Sequence, residues 1–412
     1  MLKDFSKLFT PMISFIAIVL ASSLLTTLLP IRLQSEGVSE FVIGIVSSAL
    51  YIGITIGAFK IEAIVSRIGH IRAYTAFAGL LTASTLLMGL YYSAIFWFLL
   101  RLIVGYCMSG IFIVIESWVL ASGPTQKRGK LLSIYMVSMY AAQSGGQFLL
   151  GFGNIKSLEL FALVAVLMVL STVPLALTRM NSPIVHEPSA LKLSLLYKVS
   201  PSGMLGAFVS GIILSCVYSL IPLFISKTTY GVESVPLVMG SIIFGGMVLQ
   251  YPMGKFSDYF DRRKMILLIC LAISGASLAL MFTTGVNLNL FILLCIIFGG
   301  FTFTLYPLSI SHTCDFVSQD DIVAATQGLL LSYGIGAILG PTLASICMSF
   351  GTNGLFFFMS LVSLGLAIFI YKRSILGRNP MNKSDFVLSS ITTPVAGDMN
   401  ARLQIENDKN AK

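Results

Sequence analysis

Charge is what this chain of 412 residues has least of: Asp, Glu, Lys and Arg make up 10% of it. A soluble domain carries about a quarter. So few charges cannot cover a globular surface in water, and with a mean hydropathy of +0.91 the solvent is read as lipid. Cysteine is sparse and scattered. Cys107, Cys216, Cys270, Cys295, Cys314 and Cys347 form no CxxC pair, which speaks against a disulfide framework or a zinc site. Three histidines, His70, His186 and His312, belong to no metal or catalytic motif. No GxxxxGK[ST] stretch exists to cradle a nucleotide phosphate. A membrane-embedded enzyme, a metal, a cofactor and an ATP-driven pump are therefore not expected. The formal charge of +9 could suggest nucleic acid, but the basic residues sit in short loops between apolar runs, as loops facing an anionic leaflet do. No nucleic-acid partner is expected.

Long apolar runs are what the chain has in place of these. The first, residues 8–30, exceeds the roughly 7–15 residues of a signal core and lacks a clear cleavage site, so it reads as a membrane helix. Twelve segments approach the roughly 20 residues that span hydrocarbon. They cover residues 9–30, 41–63, 73–91, 96–121, 131–152, 160–177, 203–225, 237–256, 265–284, 289–311, 322–348 and 355–371. The polar stretch 179–202 reads as a cytoplasmic linker between an N-terminal bundle (1–178) and a C-terminal bundle (203–371). Residues 372–412 read as a polar tail, mobile on the cytoplasmic side. With the N-terminus inside, Lys3, Lys7, Lys60, Arg67, Arg72, Lys127, Arg128, Lys130, Arg179, Lys192, Lys198, Lys255, Arg262, Arg263, Lys264 and the basic residues of the tail face the cytoplasm or its interface. Only Arg32, Lys156 and Lys227 fall outside, which favours both termini being cytoplasmic.

Charge inside such runs is costly and usually faces a cavity or a partner. Arg101 and Glu116 lie on one segment, fifteen positions apart, hence about 22 Å apart along a helix and unable to pair. For Arg101, near the start of its run, snorkelling to water weighs equally with burial. For Glu116, deeper and shorter, the buried reading is favoured. It is then the first candidate for carrying a proton, because desolvation raises a carboxyl pKa. His312 is the second, against the stronger alternative of a satisfied histidine at a helix end. Tyr51, Tyr140, Gln143, Gln147, Tyr218, Gln250, Tyr306 and Tyr333 complete the intramembrane polar set. Together with Arg101 they suit a mostly apolar pocket for a small amphipathic solute, although each aromatic is as readily a packing residue.

The two halves can be laid on each other. The turn at Ser66–His70 matches that at Asp258–Arg262 at a shift of about 192, and the surroundings of Tyr140 and Gly145–Gly146 match those of Tyr333 and Gly334–Gly336 at about 193. Parallel six-helix repeats of this kind are one plan for transporters. The turn Gly254-Lys255-Phe256-Ser257-Asp258-Tyr259-Phe260-Asp261-Arg262-Arg263 resembles the signature of the major facilitator superfamily, G-x-x-x-D-R-x-G-R-R. It keeps Gly254, Asp258, Arg262 and Arg263. The first half keeps Arg67 and Gly69 but has Glu62 and Ser66 where glycine and aspartate are expected. Arg101-x3-Gly105-x4-Gly110 is similar to the family's arginine-glycine motif, and Gly336-x3-Gly340-Pro341 to its glycine-proline motif. More narrowly, GHIRAY, VIESW and LYPLSISHTCD…SYGIGAILGP resemble the YcaD-like group of bacterial transporters.

The resemblance implies an all-α integral membrane protein with twelve transmembrane helices in two pseudo-symmetric bundles. It further implies a monomer in the bacterial inner membrane that moves a small solute by alternating access, with protons as a candidate coupling ion. Uptake and efflux both stay open. It sets Asp258 against the start of the fifth helix, near Gly129–Leu131, where Asp258 and Arg262 would latch the outward-open conformer, with Arg67, Gly69, Gly254 and Arg263 shaping the turns. A non-transporting sensor or assembly partner, with the tail as its working part, is the competing reading.

Overall fold

The structure is a computed structural model. It describes residues 2–121, 128–177, 193–317 and 321–375, with backbone alone for 2–8, 120–121, 128–130, 323 and 374–375. Residue Lys127, most of the expected linker (179–192) and the tail from 376 onward lie outside the described residues.

Everything regular among the described residues is helical. Long helices are α1 (Leu2–Ser35), α2 (Glu40–Ile68), α3 (His70–Leu90), α4 (Ala94–Ala121) and α5 (Arg128–Phe148), followed by α6 (Glu159–Leu170) with its short continuation α7 (Thr172–Ala176). A short helix, α8 (Leu193–Val199), then leads into α9 (Pro201–Ser226), α10 (Val235–Tyr259), α11 (Arg262–Thr283), α12 (Leu288–Cys314), α13 (Ile322–Ser349) and α14 (Gly354–Ile375). The expected linker is thus partly helical at α8, α9 starts at Pro201, and α14 continues past the expected boundary at 371.

Of the twelve expected spans, eleven among the described residues are long and apolar enough to cross a membrane. The fifth is the exception. α5 has 21 residues, but Tyr140, Gln143, Ser144 and Gln147 dilute its apolar content. Because α5 packs between α1 and α10, those groups meet protein rather than lipid, which is the condition for tolerating them. Large apolar side chains elsewhere point outward, Ile95, Leu99, Val166 and Leu361 among them. These outward faces match a lipid surround.

Lipid tails are as apolar as leucine, so burial does not by itself drive membrane helices together, and close packing has to do it. The tightest crossings show how. On α2 and α4, Gly53 abuts the carbonyl of Leu102 and Gly105 that of Leu50, and neither has room for a Cβ. On α10 and α12 the same crossing recurs, Gly245 on the carbonyl of Ile296 and Gly299 on that of Ile242. Gly53 and Gly245 are 192 positions apart, Gly105 and Gly299 are 194. A third pair repeats as well: Gly146 packs on Leu20 and Ser23, Gly340 on Ile212 and Ser215. The repeat therefore exists in three dimensions. Its later helices are offset by 194, so Gly146 corresponds to Gly340, and the expected match of Tyr140 with Tyr333 is one residue out of register.

Helices α1 to α7 pack mainly among themselves, as do α9 to α14, and the two sets meet through α2 with α13, α5 with α10 and α1 with α9. Two ends can be distinguished. One, the linker end, carries α8 and the α2–α3 and α10–α11 turns. The far end carries the α1–α2 turn and the segment between α9 and α10. At the far end Lys227 pairs with Glu40, Ser226 Oγ donates to Gln34 Oε1 at 2.7 Å, and nearby Ser48 and Thr342 share a hydrogen bond of 3.0 Å. Each joins one half to the other.

Candidate functional site: a tyrosine- and glutamine-lined cavity between the halves

A cavity of about 150 Å³ lies where the two halves meet. Helix α5 supplies its polar stripe. Tyr140, Gln143 and Gln147 follow one another at helical spacing, so all three point inward, and all three line the cavity. Helix α1 answers with Ser22, Ser23 and Thr26, α2 with Tyr51, α9 with Tyr218 and α13 with Tyr333. Met108, Phe112, Met139 and Phe303 make the remainder largely apolar.

The hydrogen bonds form two sets. Within the first half, Gln147 Nε2 donates to Ser23 Oγ at 2.7 Å, Thr27 Oγ1 donates to Gln147 Oε1 at 2.6 Å, and Ser23 Oγ donates to the Gln143 carbonyl at 2.6 Å. These pin α5 to α1. Across the halves, Tyr140 Oη donates to Gln250 Oε1 at 2.9 Å and Tyr218 Oη donates to Gln143 Oε1 at 3.0 Å. The ring of Phe303 stands edge-on to both tyrosines, with centroids at 5.5 and 6.1 Å. Two phenol–amide bonds and one ring thus bridge the two halves.

The polar residues singled out in the sequence separate in space. Tyr140, Gln143, Gln147, Tyr218 and Tyr333 line the cavity, as does Tyr51. Tyr306 and Gln250 stand one layer behind it, the first edge-on to Tyr333 at 5.1 Å, the second holding Tyr140. The Nε2 of Gln250 has no hydrogen-bond partner among the described residues. Arg101 does not snorkel. It is 2% exposed, sits within electrostatic reach of Tyr51, and its Nε and Nη1 have no hydrogen-bond partner among the described residues. Glu116 is fully buried and accepts a 2.8 Å hydrogen bond from Tyr135 Oη, whose ring stacks on Phe15 at 4.5 Å. It lies outside the cavity wall. His312 is remote from the cavity, at the linker end of α12.

Sequence reasoning missed Ser23, Thr27, Met108, Phe112 and Phe303. The α1 stretch Ser22-Ser23-Leu24-Leu25-Thr26-Thr27 held a signal, since hydroxyls at i, i+1, i+4 and i+5 mark one helix face.

The signature turn of the second half forms a second constellation. Arg262, 2% exposed, donates from Nη1 to Asp315 Oδ1 at 2.6 Å and to the Ser311 carbonyl at 3.0 Å, and from Nη2 to Asp258 Oδ1 at 2.9 Å. Asp261 caps α11 by accepting the Arg263 N–H at 2.9 Å, and the Arg263 guanidinium lies 4.9 Å over the Phe316 ring. Gly254 is buried on α10. In the first half Gly69, at φ 85°, ends α2 and starts α3, a conformation few residues other than glycine adopt, while Arg67 is exposed. Arg262 thereby ties α10, α11 and α12 of one half together. The side chains at the start of α5, where the resemblance sets the partner of Asp258, lie outside those described.

The comparisons decide the lineage. A family model described as the Major Facilitator Superfamily matches residues 12–317 and 203–386. The chain belongs to that superfamily. Within it, the chain is 30% identical over 344 residues to an uncharacterized MFS-type transporter, YcaD, of Escherichia fergusonii, covering 83% of this chain and 89% of that protein. It is 29% identical over 349 residues to a YcaD protein of Shigella flexneri, covering 84% and 90%. Among solved structures, the nucleoside transporter NupG aligns over 90% of this chain and 99% of its own, with a TM-score of 0.71 at 16% identity. A D-xylose-proton symporter aligns over 89% and 97%, with a TM-score of 0.69 at 13% identity. At such identities the likeness is one of fold. The protein is a multi-pass membrane protein of a transporter superfamily.

Proposed function

We propose that this protein is a secondary transporter that moves a small, uncharged, amphipathic solute through the cavity between its halves. The observation that carries this reading is the lining itself. Four tyrosines, two amides and three hydroxyls converge from both halves, and among the described residues that line the space there is no Asp, Glu, Lys, Arg or His. Such a wall offers ring faces and neutral hydrogen bonds, the recognition chemistry of a polar but uncharged molecule. At about 150 Å³ the space is smaller than the roughly 300–1,000 Å³ of drug-sized ligand sites, so either the solute is small or the cavity widens as the halves part. Transport rather than catalysis suits a wall without a nucleophile–base pair.

Residues 1–178 and 203–371 act as the two rocking bodies of a monomer. The protein resides in the bacterial inner membrane with both termini cytoplasmic, which makes the far end periplasmic and its Lys227–Glu40 pair an outer gate. Proton coupling is assigned first to Glu116, held by Tyr135, and second to His312.

Flux in reconstituted vesicles tests the reading. Uptake of an uncharged solute identified by thermal-shift screening should fall at least tenfold in Gln143→Ala. An imposed pH gradient should accelerate the wild type but not Glu116→Gln. Solute binding and flux indifferent to Gln143 would remove the cavity from the mechanism, and a gradient effect of full size in Glu116→Gln would remove that carboxylate.

A further inference from the structure

Arg101 is a buried charge that its protein surroundings do not answer. It is 2% exposed, and its Nε and Nη1 have no hydrogen-bond partner among the described residues. The titratable group within its electrostatic reach there is the Tyr51 phenol, which is uncharged at neutral pH. The carboxylates of the same half lie elsewhere. Glu36 pairs with Arg32, and Glu40 with Lys227. Glu116 is fifteen residues further along α4, about 22 Å along the axis, and Glu62 is eleven residues past Tyr51 on α2, about 16 Å. Two buried hydroxyls stand close by. Gly105 on α4 packs on the Leu50 carbonyl of α2, and both helices start at the far end, so one turn back from that crossing Arg101 comes level with Ser47. Ser219 on α9 neighbours Tyr51. The Oγ atoms of Ser47 and Ser219 are buried and have no hydrogen-bond partner among the described residues. A guanidinium, a phenol and two hydroxyls, from α4, α2 and α9, thus converge behind the central cavity, whose wall Tyr51 shares.

We propose that Arg101, Tyr51, Ser47 and Ser219 bind one small monovalent anion of the halide class. The guanidinium presents N–H donors in a fixed fork, and each hydroxyl can turn its O–H to the same point. Hydrogen bonds from a charged donor are the strong ones, and a charge at this depth in a membrane helix is retained where something compensates it. One positive charge calls for one negative charge. Phosphate or sulfate would bring a larger, more strongly hydrated ion into an apolar surround, at a desolvation cost that a single cation does not repay. The anion reaches the site past Tyr51, from the central cavity. There it neutralises Arg101, so that the tyrosine- and glutamine-lined wall is not left in the field of a bare cation. The inference concerns the partner of Arg101 and holds whatever the solute is.

The test needs no solute. The full chain, purified in detergent, is unfolded by heat in sodium gluconate, with chloride replacing gluconate stepwise at constant sodium. Wild type should gain stability along a saturating curve, about tenfold in its folding equilibrium once chloride reaches about ten times its dissociation constant. Bromide should substitute for chloride. Arg101→Met should lose the response, and Arg101→Lys, which keeps the charge but not the fork, should retain it with a several-fold larger dissociation constant. Lys156→Gln, which removes one exposed charge, should respond as wild type does. A wild type indifferent to both halides overturns the site, and that arm depends on no variant folding. So does a response of full size in Arg101→Met, or a loss in Lys156→Gln equal to that in Arg101→Met, which would mean surface screening. Either outcome leaves the transport reading standing, since no solute takes part, and flux indifferent to Gln143 would leave the anion site standing.

Discussion

The two halves share a backbone plan and differ in what occupies its signature turn. In the second half Arg262 is buried between Asp258 and Asp315. In the first half, 192 positions earlier, His70 takes the place of the arginine and Ser66 that of Asp258. His70 is 1% exposed and lies tilted against Trp118, with centroids at 5.5 Å, and neither of its ring nitrogens has a hydrogen-bond partner among the described residues. Trp118 in turn stands 194 positions before His312. One turn therefore carries a buried arginine between two carboxylates, and the matching position of its counterpart carries a histidine ring set against a tryptophan. The crossings of α2 with α4 and of α10 with α12, by contrast, are the same in both halves, glycine on carbonyl. Steric close approach is common to the repeat, and the Asp258–Arg262–Asp315 network belongs to one copy.

The largest effect should come from breaking the network. Asp315→Ala leaves the Arg262 charge buried with less compensation, and losing one partner of a buried pair costs about 3–5 kcal/mol. Thermal unfolding of purified protein should show that loss, and Arg262→Leu combined with Asp315→Ala should recover part of it. Next come the shared crossings. Gly53→Val and Gly245→Val should each destabilise by about 1–3 kcal/mol through overpacking, and by similar amounts. A large inequality between them would break the claim that packing is common to both halves.

Smaller still is the far-end pair. Lys227→Gln removes a partly exposed ion pair between the halves, worth about 0.2–1 kcal/mol. Its expected result is a one- to fivefold shift toward far-end opening, read by spin-label distances across that end. The smallest effect is expected at His70→Phe, within about 1 kcal/mol of wild type, because exchanging a buried polar ring without partners for an apolar one is close to neutral. A loss there as large as at Asp315 would mean that the first half carries a polar function its surroundings do not reveal.

Much of the architecture was legible in one dimension, and the misreadings have physical causes. The fifth segment was recognised by length, yet its polar stripe takes it below the hydropathy of a span. That stripe proved to be the cavity's principal wall. Six of the nine residues nominated for the cavity line it, since phenols and amides inside apolar runs have few other places to go. Tyr306, Gln250 and Arg101 stand behind that wall, because periodicity gives a residue's face on its own helix but not which helix covers that face. Arg101 illustrates the limit best. Its position near the start of a run left snorkelling and burial equally balanced, and only the packing against α2 decided for burial.

Taken alone, the sequence determined the solvent, the helical class, the duplication and the superfamily, because each is written in local composition, period or motif. Tertiary structure alone decided which polar groups meet across the halves, that Arg262 ties three helices of one half together, and that Lys198, Arg263, Arg373 and His312 surround one space. Those four residues come from four helices spread over 176 positions of chain. No local pattern encodes such a meeting; it arises when helices that cannot rely on the hydrophobic effect find the few backbone approaches their glycines permit.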